Sequence, residues 1–517
     1  MQVVERARGV LLKLKDPSRV LETIPSAQVL KYHDRFAVLV KHRLDEVRVL
    51  KNLGIEVPSP ILHYYDWAGG RQPFEHQRKT SAFLTMHQRC LVLNDIGTGK
   101  TMSALWAADY LMNIGAVRKV LIMSPLSTLE RVWGDEIFKH FIHRTFTVLT
   151  GAADRRRKLL GQDVDFYIIN HEGFPVISDE CYGMFDLIII DEAAVYRNPS
   201  SKRFKLFYRW LQQNPETRLW LMTGTPTPES PINAWTLARL VNSPNCTSSY
   251  TRFREQVMLK VGQWKWLPRP EAVDIVKNIL QPAVRFTREQ CLDMPETVVQ
   301  TRHVDLTPDQ QRHYKAMLRS LITQVAGEGQ ITAVNEAVKL MKLLQIVCGV
   351  AYGDGGEIIQ LDATPRVNLV RDVIDEAGQK VIVFVPLTGT LHMLEKELSK
   401  HWTVGVVHGD TPVKQRDQIF HDFQNTKNPH VLIAHPQCMA HGLTLTAAST
   451  IVWYGPVHSN EIYVQANGRI ERIGKKFASN VVHIESTELE RRVYDRLRNK
   501  QKIQGLLLDL VQEETKK

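Results

Sequence analysis

The stretch LVLNDIGTGKT, residues 91–101, runs an apolar strand into Gly97, Thr98 and Gly99, then into Lys100, Thr101 and a helical run. Few folds accommodate that order. The two glycines let backbone N–H groups curl around an anion, which makes the segment a phosphate cradle. Lys100 would reach the β and γ phosphates of a nucleotide, and the Thr101 hydroxyl would hold Mg²⁺. Asn94 stands where the usual pattern places its first glycine.

The chain around this loop reads as α/β. Short apolar runs (CLVLN, KVLIMSP, DFYIIN, DLIIIDE, RLWLMTGTP) alternate with longer helical stretches, the pattern of buried parallel strands. A mostly helical, Trp-rich and basic interval is expected from about Pro231 to Met341. Strand and helix alternation then resumes with KVIVFVP, WTVGVVHG, HVLIAHP, TIVWYGP and NVVHIES. The first 66 residues look like a separate small α+β unit. There RFAVLVK alternates in the strand manner, and Leu44, Val47, Leu50 and Leu53 share a helical face ahead of Gly54. Near the C-terminus, Leu489, Val493, Leu497 and Ile503 mark one or two amphipathic helices. The expected division is 1–66, 67–290 and 291–517.

Composition narrows the partners. A formal net charge of +11 over 517 residues favours a polyanion. The six cysteines form no CxxC pair and none of the spacings that build zinc sites, so they are expected reduced. No apolar run approaches membrane-spanning length, and charges interrupt the apolar residues of the first segment. The expectation is a soluble, cytoplasmic protein with no membrane contact.

A second chemical feature is LIIIDEAA, which ends an apolar strand in Asp191 and Glu192. Adjacent carboxylates there can divide labour: Asp191 holds Mg²⁺, and Glu192 accepts a proton from attacking water. GQWKWLPR, with Trp264, Lys265, Trp266 and Arg269, is either a hairpin's packing face or a base-stacking wedge. His140 and His143 have a metal-like gap without other ligands nearby, so Mg²⁺ is the one metal expected. Arg469 and Arg472 in QANGRIERIG, spaced i and i+3, would share one helical face.

Taken in order, Gln77 in PFEHQRKT, the loop at 97–101, SPLSTL at 124–129, Asp191 and Glu192, LMTGTPTP, HGLTLT at 441–446 and QANGRIERIG resemble the motif series of a superfamily-two helicase motor. LTPDQQRHYKAM, KLLQIVCG, VVHGDTPVKQRDQIFHDF and NGRIERIGKK resemble the Swi/Snf branch, the double-stranded DNA translocases. That resemblance covers roughly residues 70 to 510 and implies two RecA-like lobes, parallel sheets flanked by helices, with helical protrusions between them. It implies ATP with Mg²⁺ as the bound nucleotide, and Gln77 on adenine. Arg469 and Arg472 would be arginine fingers, with Gln465 orienting water. Ser127, Thr128, Gly409, Thr444 and Thr446 would touch DNA phosphates. Ala194 departs from the family by replacing a polar residue, and the short second-lobe insertion argues against a nucleosome-type substrate.

The function implied is an ATP-dependent motor on duplex or branched DNA, monomeric, in a bacterial or viral setting, with protein partners drawn from replication or recombination. A strand-separating helicase is the rival enzyme. A nucleotide-gated DNA-binding scaffold is the rival of another class, opposed by Glu192, Arg469 and Arg472. The opening 66 residues, with TIPSAQ, faintly resemble the substrate-recognition modules of annealing helicases.

Overall fold

The computed structural model describes residues 1–32, 35–70, 72–227, 230–262, 266–291, 297–328, 333–352, 358–439, 445–470 and 478–499. The chain divides into two compact units, Met1–Cys291 and Leu292–Lys517.

The first unit is built on a seven-stranded, wholly parallel sheet. Its order is Ala283–Val284, Arg89–Val92, Arg218–Met222, Leu187–Ile190, Val120–Ser124, Phe166–Asn170, Phe146–Val148. Residues along each strand alternate between two cores, as the pleat requires. Leu91, Leu121, Ile169, Ile188 and Leu221 enter one, while Val92, Ile122, Ile168, Ile189 and Trp220 enter the other. Both faces are covered, so the strands read as continuous apolar runs. Helix Lys100–Asn113 is buried nearly all round, from Met102 to Met112.

The N-terminal residues form a four-stranded antiparallel sheet in the order Gln2–Val4, Gly9–Leu14, Arg35–Lys41, Gln28–Tyr32, with helix Leu44–Asn52. It has a small core of its own, with Val10, Leu12, Val38, Val40 and Leu50. It is nevertheless fastened to the parallel-sheet domain. Leu44 and Ile61 enter that domain's core. Ser59 Oγ lies 2.8 Å from Thr85 Oγ1, and Arg48 Nη2 donates to Thr85 O at 2.9 Å. Tyr65 O–H donates to the buried Asp109 at 2.7 Å, where Arg144 and His143 also converge at 2.7 and 2.8 Å. His140 Nδ1 sits 3.1 Å from Gly69 O. The two histidines with metal-like spacing therefore brace the segment around residues 65–69.

The second unit carries a six-stranded parallel sheet in the order Thr297–His303, Ser479–Glu485, Ala448–Trp453, Lys380–Phe384, Val431–Ala434, Val404–Val407. Again the strands alternate into two cores, with Ile382, Leu432 and Ile451 on one side and Val383, Ile433 and Val452 on the other. Helix Glu488–Arg498 buries Leu489, Val493, Tyr494 and Leu497 as the sequence pattern requires; Ile503 lies outside the described residues.

The interval 231–341 is mostly helical, as expected, but it also supplies an edge strand to each parallel sheet, Ala283–Val284 and Thr297–His303. The first is two residues long and shows no period. The second has largely exposed side chains, Val298 and Val299 among them, so it lacks the apolar run of a buried strand. The hairpin Met258–Lys260 with Trp266–Pro268 uses Trp266 for packing: Arg254 stacks 4.6 Å from its ring centre, and Arg269 Nε donates to Glu255 O and Met258 O. Trp264 and Lys265 lie outside the described residues.

A buried ion pair cross-links several elements of the second unit. Arg366, on helix Thr364–Ala377, meets Glu490 at 2.5 Å with both side chains buried. The same guanidinium donates to Tyr454 O, Val347 O, Ile484 O and Ser486 Oγ. Glu490→Ala leaves that cation buried and unpaired, and is expected to cost about 3–5 kcal/mol in chemical denaturation of the second unit. A loss below about 1 kcal/mol would contradict this role for the pair.

Candidate ATP site

Four neighbouring strands of the first sheet end at one edge, and each carries a motif there. Val92 leads into the glycine loop, Met222 into Thr223, Ile190 into Asp191, and Ser124 into Pro125. The carboxyl edge of a parallel sheet is where such folds bind ligands.

The loop is held from several sides. Gly97 and Gly99 take positive φ of 87° and 79°, which side chains disfavour. A Cβ at Gly99 would fall 2.1 Å from Gln77 Nε2. Asn94, in place of the expected glycine, is buried; its amide donates to Thr80 Oγ1 at 2.9 Å and its oxygen accepts from Phe286 N at 3.0 Å. The departure is thus a staple between the loop and the elements on either side. Thr98 O accepts from Gln77 Nε2 at 3.3 Å and lies 2.9 Å from His76 Nε2. Gly224 presses against Ile96, where an added Cβ would stand 3.2 Å from Cγ1.

Lys100 Nζ rests on the carbonyls of Asn94 at 2.9 Å and Asp95 at 3.1 Å. Phosphate oxygens would replace those neutral acceptors with charged ones, a stronger partner for an ammonium. Gln77 is buried with its Oε1 accepting from Phe74 N at 3.0 Å, so its carboxamide is committed to the loop and to its own helix start.

Asp191 is half-buried at the strand end. Its Oδ1 accepts from Glu192 N at 3.1 Å, and its Oδ2 accepts from the indole N–H of Trp133 at 3.2 Å. Burial and the neighbouring Glu192 charge push its carboxyl above the usual range, and the Lys100 cation partly offsets them. A half-buried carboxylate crowded by a second acid, with Thr101 in the first turn of the helix that follows the loop, is a donor set that suits a hard divalent cation. Glu192 takes a left-handed backbone, φ 52° and ψ 50°, unusual for a residue with a side chain and of the kind found at functional turns. Among the described residues no group of three or more His, Cys, Asp and Glu could hold a metal ion.

The SPLSTL turn divides its hydroxyls. Thr128 is buried, 2.8 Å from Ser124 Oγ and donating to Pro125 O at 2.8 Å, so it holds the turn. Ser127 is exposed.

In the second unit, Gln465 lies buried on helix Asn460–Asn467 and donates to Glu461 at 3.4 Å. The helix ends at Asn467, with Gly468 as its cap, so Arg469 sits in the following turn rather than on that helix. Arg469 is buried at 2% exposure, which excludes a solvated basic face at this position. Its carbonyl accepts from Leu445 N at 3.0 Å, which brings it beside Thr446, whose hydroxyl accepts from Gln424 at 3.1 Å. Gly409 is exposed, with open space where a Cβ would stand. Arg472 and Thr444 lie outside the described residues.

Sequence reasoning missed His76, Trp133 and Arg288. Arg288 Nε donates to Ile96 O at 3.0 Å, alongside the loop. Of these only Trp133 left a signal, a large aromatic nine residues beyond the strand end in an otherwise charged segment.

A glycine cradle, a lysine on its rim and an acid pair at one sheet edge define a P-loop ATPase of helicase superfamily two. Residues 64–351 match the SNF2-related domain and residues 365–474 the helicase conserved C-terminal domain. The chain belongs to the SNF2-related family, DNA-dependent ATPases of the Swi/Snf type. It is 26% identical over 466 residues to putative protein p41 of Acyrthosiphon pisum secondary endosymbiont phage 1, covering 82% of this chain and 95% of that one. It is 22% identical to Protein CHROMATIN REMODELING 4 of Arabidopsis thaliana, over 78% of this chain but only 19% of that much longer protein. Among solved structures it resembles the Sulfolobus solfataricus SWI2/SNF2 ATPase core in complex with dsDNA, at 22% identity, 83% and 91% coverage and a TM-score of 0.40.

Lys100→Ala is expected to abolish turnover, because it removes the cation on the loop's rim. Glu192→Gln should keep nucleotide bound and slow hydrolysis by at least roughly 10²-fold, the usual contribution of a positioned base. Equilibrium nucleotide binding and steady-state ATPase rates read both; wild-type hydrolysis by Glu192→Gln would remove it from the proton-acceptor role.

Proposed function

We propose that the chain is an ATP-driven motor that tracks along intact duplex DNA and remodels or reanneals it, or displaces bound proteins. The observation that carries the reading is the convergence of Lys100, Asp191 and Glu192 at one sheet edge, in a chain matched over 64–351 and 365–474 by the two family domains. Thr101 and Asp191 would hold Mg²⁺, which would neutralise charge on the β and γ phosphates. Lys100 would bind the same phosphates, and Glu192 would take the proton from attacking water. Gln77 would help seat the base.

Arg469 and Arg472 would act as arginine fingers on the nucleotide, with Gln465 orienting water. Burial of Arg469 supports that reading, because a guanidinium held out of bulk water is the more potent toward a developing phosphate charge. DNA phosphates would meet Ser127 in the first unit and Gly409, Thr444 and Thr446 in the second, with Thr128 shaping its turn. The net charge of +11 fits a polyanionic track. Near full-length likeness to a phage protein supports a phage or bacterial setting.

The strand-separating reading and the tracking reading predict different products. On a duplex bearing a third strand, the motor should displace that strand with ATP while leaving a forked duplex closed. Efficient fork opening without triplex displacement would favour the helicase instead.

Arg469→Ala and Arg472→Ala should each lower DNA-stimulated turnover by roughly 10³-fold or more, the usual worth of an arginine finger, with little change in nucleotide affinity. Unchanged turnover in both would remove them from the reaction.

A further inference from the structure

Between the strand Val120–Ser124 and the helix Asp135–His140 the backbone makes an unusual passage. A short 3₁₀ turn, Leu126–Thr128, is followed directly by a six-residue π-helical turn, Leu129–Gly134. π-turns are rare, cost hydrogen-bond geometry, and gather at functional sites. Here the turn carries Trp133, which is fully buried and whose indole N–H donates to Asp191 Oδ2 at 3.2 Å. Gly134 allows the turn to seat, since a Cβ there would stand 3.3 Å from Phe146 Cε2 and 3.5 Å from Leu129 O.

Asp191 is therefore tied to this passage twice. Its own N–H donates to Met123 O on the strand at 2.9 Å, and its carboxylate receives the Trp133 N–H from beyond the turn. Between those two points in sequence lies Ser127, whose side chain is exposed on the 125–128 turn. The residues after the acid pair, Ala193 and Ala194, are buried and end in methyl groups, so their side chains can relay nothing by hydrogen bonding. An indole is a donor only, which suits a carboxylate whose remaining lone pairs face a cation. It is also rigid, so a shift of its backbone carries through to the N–H.

We propose that Trp133 is the positioning residue that couples phosphate contact at the 125–128 turn to the orientation of Asp191, so that duplex binding and Mg-nucleotide binding favour one another. The proposal rests on the duplex-tracking reading above. It assigns Trp133 no contact with nucleotide or DNA. Coupling of this kind is reciprocal: whatever factor duplex adds to nucleotide affinity, nucleotide adds to duplex affinity.

The test measures binding rather than turnover. Calorimetry with the full chain gives the affinity for a non-hydrolysable ATP analogue with Mg²⁺, with and without saturating duplex. In the wild type duplex should tighten nucleotide binding by roughly 5- to 150-fold, the range typical of site-to-site coupling. Trp133→Phe should bring that factor close to one while DNA-free nucleotide affinity and nucleotide-free duplex affinity stay within about threefold of wild type. Because a buried tryptophan can be needed for folding, the same measurement is made with benzothienylalanine at position 133, which keeps the ring shape and deletes only the N–H; it should behave as Trp133→Phe does. A coupling factor that survives N–H deletion overturns the inference and leaves the duplex reading standing. Loss of DNA-free nucleotide affinity with the factor unchanged also overturns it, since Trp133 would then serve the cation site alone. A wild type that binds duplex but shows no coupling overturns it too, and one that binds no duplex overturns the reading beneath it.

Discussion

The first unit is organised around a loop that must stay open without a ligand inside it. Backbone N–H groups aimed at one point repel one another and cannot pair among themselves, so the loop keeps its shape only if its other groups are fixed from outside. Asn94 fixes its start to Thr80 and Phe286, His76 and Gln77 fix Thr98, and Gly224 closes against Ile96. Lys100 spans the mouth on two carbonyls. The helix behind it, buried on every side, cannot move without disturbing both the sheet and Asp109.

That last residue links the loop to the N-terminal module. Asp109 is a buried carboxylate two turns along the loop's own helix, and Tyr65 from the connecting segment caps it together with Arg144 and His143. With Asn113 Nδ2 donating as well, at 3.3 Å, the buried acid has four partners and is satisfied; removing one of the charged ones leaves the charge under-compensated. The module's attachment is thus made to the element that presents Lys100, and Leu44 and Ile61 are part of the same core. The N-terminal module is thereby fixed to the helix and the core that carry Lys100.

How much of this was readable beforehand depended on whether the physics was local. Every central strand showed as an apolar run because both sheet faces are covered. The glycine loop and the acid pair were legible because backbone sterics and metal chemistry restrict residue type at those points. The edge strands Ala283–Val284 and Thr297–His303 were not, one being too short for a period and the other having few buried side chains. Asn94 departs from the usual glycine and is a staple, a role set by partners up to 192 residues away. Trp133 reaches an acid 58 residues on, and Arg469 is buried by its surroundings rather than by its helix. Contacts of that kind belong to tertiary structure, and no local pattern announces them.

The central claim is that the sheet-edge site hydrolyses ATP in response to intact duplex. The most direct measurement is the steady-state ATPase rate of the full chain with no nucleic acid, with single-stranded DNA and with blunt duplex, at two salt concentrations. The account predicts the largest stimulation with duplex, weakening steeply as salt rises because phosphate contacts release counterions. Stimulation by single strands alone would contradict it.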